Sequence, residues 1–434
     1  TYNTDSQTPD SAGTMTAITT GVKTHMGAIG VSAGNRSDCA DSLGKHALTW
    51  LQLADSAGMA TGMVSTARLT HATPAATYAH SPDRNWENDT DVPEAARAAG
   101  CVDIAQQLLA TSRYGRGPLV ALGGGRAQYT TINEQDPEYA DKVGLRLDGR
   151  NLVAEWQAAH PQGAYVWNAA QLKAAADAPA LLGLFEPDHM QYEHDRARDP
   201  AGEPSLAELT RAAIANLSRH PEGYVLMVEG ARIDHANHSG NAARALGDTI
   251  ALSDAVRAAV EATSAEDTLI IVTADHSHTL NFVGYPARGN PILGKVKDKG
   301  GEDGAGGLEL ARDATGLPYT TLSYANGPGY TGASNRQPAG PKTFPHAPSS
   351  YEPARGRPDL THVDTEHPDY MQEALVPAKA ESHGGEDVGI WARGPGSTAV
   401  RGTLEQNTIY HLIVQATPRL RERLCAQGTC DAQG

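Results

Sequence analysis

The strand-like run Gly223–Val228 ends directly in Glu229, followed by Asp234, His235 and His238; a second run, Thr268–Thr273, ends in Asp275, His276 and His278. A chain that twice sets carboxylates and imidazoles at the end of an apolar run, with a helical pattern between, is constrained toward alternating strands and helices. In open α/β sheets, ligands gather at the carboxyl ends of the strands, where both clusters fall. Asp234 and His238 are four residues apart, so on a helical turn they share one face, as two ligands of one ion must. Two clusters point to two metal ions.

Further strand-like runs lie at Met59–Ser65, Pro118–Leu122, Ala180–Phe185 and Asp387–Trp391, with helical patterns between most of them. The expected fold is therefore α/β, with a mainly parallel central sheet and helices on both faces. Ser205 and Glu208 form a capping-box start, and Leu206, Leu209, Ala213 and Leu217 then recur at helical spacing. A second helix is expected over Asn241–Val260, with Leu252, Val256 and Val260 on one stripe. From Phe282 to Lys379 the composition turns to Gly, Pro, Ser and Tyr. A structureless linker of that length inside a compact domain is uncommon, so an ordered, loop-rich insertion over 282–379 is expected, set in a catalytic domain formed by 1–281 and 380–434.

With 434 residues, one enlarged domain or two are possible. The net charge of −16 argues against nucleic acid and anionic membrane surfaces as partners and favours a small ligand. A phosphorylated ligand would still be met locally by metals and one arginine. No apolar stretch approaches the roughly 18 residues of a membrane span. The first residues lack the pattern of a signal peptide, and Thr1 reads as an internal beginning. The four cysteines are expected to pair as Cys39 with Cys101 and Cys425 with Cys430, which suits an oxidising compartment, periplasmic or extracellular. Buried free thiols are the alternative.

Three other segments carry chemistry. Ser11 sits where a helix would begin, beside backbone N–H groups that favour an anion, although a serine there is more often just an N-cap. His71, Thr73, His80 and Arg84 follow within fourteen residues. The planar fork of Arg84 can grip two phosphate oxygens, or merely form a surface ion pair. His383 stands beside glycines that let backbone approach closely.

Taken together, these segments resemble the alkaline phosphatase family over nearly the whole chain. The likeness is carried by Asp10-Ser11-Ala12, Glu229…Asp234…His238, Thr273-Ala274-Asp275-His276 and His383-Gly384-Gly385-Glu386-Asp387, all in family order. It extends through Tyr78-Ala79-His80…Arg84-Asn85-Trp86, Leu122-Gly123-Gly124-Gly125-Arg126, Asp148-Gly149-Arg150-Asn151-Leu152, Gly183-Leu184-Phe185-Glu186-Pro187 and Arg288-Gly289-Asn290-Pro291. His71 and His235 are similar to the branch containing the animal enzymes.

The resemblance implies zinc-dependent hydrolysis of small phosphate monoesters through a phosphoseryl intermediate at Ser11. It assigns Asp234, His238 and His383 to a first zinc, Asp275 and His276 to a second, and Arg84 to the phosphoryl oxygens. Thr73 and Glu229 match ligands of a magnesium site. His278 and His80 would orient ligands, while His71 and His235 would reach the site through water. Glu138, the Phe185 carbonyl, Glu186 and Glu203 align with a calcium site, with Glu203 in place of the family's aspartate. A homodimer is implied, with the insertion as its crown.

Family members also carry a bridging aspartate on a strand upstream of the serine, and these residues begin after it. The expectation is weak metal binding and reduced activity in a chain limited to them, with restoration of the upstream segment as the test. The alternatives are a phosphodiesterase or sulfatase of the same superfamily and a metal-binding, non-catalytic protein.

Overall fold

The computed structural model describes residues 1–32, 37–109, 115–299, 308–426 and 428. The chain divides into two compact units, one of Thr1–Ala231, Ile250–His276 and Gly385–Gly434, the other of Arg232–Thr249 and Ser277–Gly384.

The first unit is built on five parallel strands: β1 (Ala60–Arg68), β2 (Val120–Gly124), β3 (Ala164–Val166), β4 (Leu181–Leu184) and β5 (Tyr224–Glu229), in the order β3-β4-β2-β1-β5. Successive side chains of a strand point to opposite faces, and the core divides accordingly. Val64, Val120, Leu122 and Leu181 enter one apolar cluster with Leu206, Leu209 and Leu217 of the helix Leu206–Leu217. Met63, Ala121 and Leu182 enter another with Met15 and Ile18 of the helix Ser11–Thr20 and with Leu51 and Leu53 of the helix Trp50–Ser56. Helices therefore cover both faces, as a wholly parallel sheet requires.

The Ser205 capping box forms as expected, with Ser205 and Glu208 satisfying each other's backbone N–H groups. The helix it starts lies against β1, where Gly62 leaves the room: a Cβ there would stand 2.8 Å from Leu217 Cδ1. β3 has only three residues and was not among the expected strands. The Thr268–Thr273 run does form a strand, β6 (Ile270–Thr273), but it pairs antiparallel with Ile390–Arg393 in a separate two-stranded sheet and does not join the parallel one.

In the second unit, Leu322–Gly327 pairs parallel with Ala374–Pro377 and antiparallel with Leu280–Phe282. Over the described residues its Gly- and Pro-rich stretch forms short strands and isolated bridges. Buried Lys342 donates from Nζ to the carbonyls of Pro338 and Gly340 at 2.7 and 3.0 Å, and Lys295 Nζ donates to those of Leu360 and Val363 at 3.0 and 2.8 Å. Each ammonium ties loop carbonyls together beside a small apolar core that includes Val296, Leu322, Leu360 and Met371. The helix Arg232–His238 belongs to this unit and is tied to it by the Tyr324 hydroxyl, which donates to Asn237 Oδ1 at 2.8 Å.

Candidate metal centre and nucleophile

In the second unit, helical spacing puts Asp234 and His238 on one face, and a short strand pair, Ser277–His278 with His383–Gly384, sets His383 directly opposite His278. Three donor atoms then face one another: Asp234 Oδ1 lies 3.4 Å from His238 Nε2 and 3.4 Å from His383 Nε2, and the two Nε2 atoms are 3.1 Å apart. Donors at 2.0–2.1 Å around a tetrahedral zinc are about 3.3 Å from each other. The triangle fits such an ion, with both imidazoles presenting Nε2. His238 donates from Nδ1 to the Glu381 carbonyl at 2.6 Å, which leaves Nε2 as its lone-pair nitrogen.

Burial by itself would raise the Asp234 carboxyl, but His278, His383 and His238 around it hold it well below the usual carboxylate range. The three imidazoles thus favour its ionised form. His278 lies 2.8 Å from Asp234 Oδ1 through Nε2 and 2.7 Å from Glu381 Oε2 through Nδ1. Burial works against its charge, yet the two carboxylates outweigh it and push the imidazole up to about 9. His235, on the same helix, turns its Nδ1 toward Arg232 Nη1 at 3.1 Å.

In the first unit, Asp10 caps the helix Ser11–Thr20, accepting from Gly13 N at 3.1 Å, so Ser11 is the first helical residue and not the cap. Its Oγ lies 3.0 Å from His276 Nε2, which is 3.3 Å from Asp275 Oδ2; Thr14, one turn along the helix from Ser11, donates from Oγ1 to that oxygen at 3.0 Å. Two ligand atoms about one tetrahedral edge apart, beside a hydroxyl oxygen at a helix N-terminus, suit a second ion and its nucleophile. Arg84 approaches the same place, with Nη1 3.1 Å from Asp10 Oδ2 and Nη2 3.1 Å from His71 Nε2. Burial would raise Asp10, but Arg84 and the Gly13 and Gly27 amides outweigh it and keep the carboxyl low.

At the carboxyl end of β5, Glu229 pairs in register with Ser65 of β1 and accepts its hydroxyl. Thr73 lies in the helix Ala72–Ala75, which packs against β1 and β5. His80 is buried, with Nδ1 2.7 Å from the Gly30 carbonyl, Nε2 beside the Gln52 amide and its ring stacked on His46 at 4.4 Å. These are the partners of a polar core histidine.

The residues aligned with a calcium site also lie in the first unit. Glu138, Glu186 and Asp199 each bring a carboxylate oxygen within 4.8 Å of the others. Glu203 is buried beside them and accepts from the Gln191 amide at 3.1 Å; Phe185, which precedes Glu186, is fully buried. Burial and neighbouring charges push Glu203 up to about 9 and Glu138 to about 7. Such a cluster fits a hard, oxygen-seeking cation that would neutralise it.

Several residues of these sets were missed in the sequence: Glu381, Thr14, Ser65, Asp199 and Asp10 as the cap. Only Asp10 had a signal available, because Asp before a helix is a preferred N-cap. Cys39 and Cys101 are joined, with Cα atoms 5.9 Å apart. Cys425 is also disulfide-bonded, while Cys430 lies outside the described residues. No described helix is long and apolar enough to cross a membrane.

Against known proteins, the family model for alkaline phosphatase matches residues 1–418. The tissue-nonspecific alkaline phosphatase of Gallus gallus is 41% identical over 425 residues, covering 96% of this chain and 75% of that one; the Homo sapiens enzyme is 39% identical, with 96% and 74% covered. Among solved structures, Thermus thermophilus alkaline phosphatase matches with a TM-score of 0.62 at 24% identity, over 98% of this chain and 85% of that one. A mutant of the TAB5 alkaline phosphatase with Mg bound in the M3 site matches at 0.60 and 21% identity, over 96% and 86%.

Proposed function

Because the chain belongs to the alkaline phosphatase family, an enzyme family of phosphate monoester hydrolysis, we propose that it works through a zinc-supported phosphoseryl intermediate at Ser11. What carries this reading is the triangle of Asp234, His238 and His383 donor atoms at 3.1–3.4 Å, with the separations of a tetrahedral zinc site. Asp234, His238 and His383 would hold one zinc, and Asp275 with His276 the second. Bound there, the two ions would supply charge for the serine alkoxide, the leaving oxygen and the hydrolytic water.

The chain's own residues do the rest. Ser11 Oγ attacks phosphorus from the first turn of its helix, where free backbone N–H groups favour the anion that forms. Arg84 turns its fork from Asp10 and His71 to two oxygens of the phosphoryl group, which selects a dianionic monoester. Thr73 and Glu229 would ligate magnesium through hard oxygens, and Glu138, Glu186, Glu203 and the Phe185 carbonyl, with Asp199, would hold calcium. The 282–379 insertion would form a dimer crown; Phe282, Tyr285, Leu375 and Val376 expose 64%, 90%, 79% and 53% of their surface in the isolated chain, which favours a covered face. The Cys39–Cys101 bond favours a periplasmic or extracellular location.

The test is acid quenching during turnover of an aryl phosphate, followed by peptide mapping. Phosphate on Ser11, together with much slower cleavage of the bis-aryl phosphate and the aryl sulfate, is expected. Turnover with no label on Ser11, or equal rates on all three esters, refutes it.

A further inference from the structure

Glu381 lies two residues before His383 and its side chain is completely buried. A buried carboxylate is costly unless its oxygens are satisfied, and the partners of this one are specific. Oε2 accepts from His278 Nδ1 at 2.7 Å, while Oε1 accepts from the Thr279 amide at 2.5 Å and the Thr279 hydroxyl at 2.7 Å. The backbone of the same residue brackets His238, its N–H donating to the His238 carbonyl at 2.8 Å and its carbonyl accepting from His238 Nδ1 at 2.6 Å. His278 in turn reaches Asp234 Oδ1 at 2.8 Å.

We infer that Glu381 is the positioning residue of the first metal site, orienting Asp234 through His278 and His238 through its own carbonyl. Two of the three donor atoms thus take their direction from one residue. The inference rests on the reading of Asp234, His238 and His383 as zinc ligands. Loss of such an outer partner commonly weakens metal binding by about 10- to 100-fold. Because the main-chain contact to His238 survives substitution, a side-chain variant isolates the route through His278.

The experiment measures zinc affinity by chelator competition and the visible spectrum of the cobalt-substituted protein. It compares wild type, Asp234→Asn, Glu381→Gln, Glu381→Asp, His278→Ala and the Glu381→Gln/His278→Ala pair, each with its unfolding midpoint. Glu381→Gln is expected to weaken zinc at this site about 10- to 100-fold and to shift the cobalt bands. In the His278→Ala background it should add nothing further. Glu381→Asp keeps the charge one methylene short of His278 and should fall between wild type and Gln, which keeps the idea testable if the Gln variant misfolds. If Asp234→Asn binds zinc as wild type does, the metal-site reading fails and the inference with it. If Asp234→Asn weakens binding while Glu381→Gln leaves affinity and spectrum unchanged, the inference alone fails. Equal losses from Glu381→Gln with and without His278 likewise overturn it.

Discussion

Replacing Glu203 by Gln should stabilise the calcium-free protein at alkaline pH and destabilise the calcium-loaded one. Glu203 is 4% exposed, and burial, then Glu186, raises its carboxyl from an ordinary 4.5 to about 9. The sign follows from proton counting. The unfolded chain releases this proton near pH 4.5 while the folded chain keeps it until about 9, so in between the folded state binds more protons and its stability falls as pH rises. At about 1.4 kcal/mol per unit, the ceiling at pH 8 is about 5 kcal/mol, and at pH 5 less than about 1 kcal/mol. Gln removes the titration but keeps an oxygen for the Gln191 amide, which lies 3.1 Å from the present carboxylate. Thermal unfolding of zinc-saturated protein in calcium-free buffer should therefore show little difference at pH 5 and a higher midpoint for Glu203→Gln at pH 8. With saturating calcium the order should reverse, because a neutral amide is a poorer ligand than a carboxylate. A midpoint difference that stays constant from pH 5 to 8 without calcium refutes the reasoning.

Gly62→Ala should lose about 1–3 kcal/mol in denaturant unfolding, because its methyl would enter the 2.8 Å gap to Leu217; an unchanged midpoint contradicts the packing. Arg84→Ala should lower kcat/KM for an aryl phosphate by about 2–3 kcal/mol, roughly 30- to 150-fold, with much of the loss in KM; unchanged kinetics would remove Arg84 from the phosphate site. Reducing the Cys39–Cys101 bond, 62 residues apart in sequence, should cost about 4 kcal/mol on the chain-entropy account, read as a fall in the unfolding midpoint.

The proposed metal ligands were legible because their chemistry resides in residue type and local spacing. Asp234 and His238 declare a shared helical face without any tertiary knowledge, and His383 stands out among glycines. Glu381 and Asp199 look like ordinary surface carboxylates in the sequence; only the fold brings Glu381 beside two imidazoles and Asp199 beside two glutamates. The strands followed the same division. Long apolar runs declared β1, β2, β4 and β5, and three residues were too few to declare β3. The antiparallel pairing of β6 depends on a segment more than a hundred residues away, which no local pattern encodes. Ser11 could be read two ways until Asp10 was seen to occupy the cap.

The most direct test of the metal-centred account is anomalous scattering at the zinc edge from crystals grown with zinc. A peak within about 2.0–2.2 Å of Asp234 Oδ, His238 Nε2 and His383 Nε2 together is the expected result. Strong zinc peaks elsewhere, with none touching those three atoms, would contradict it.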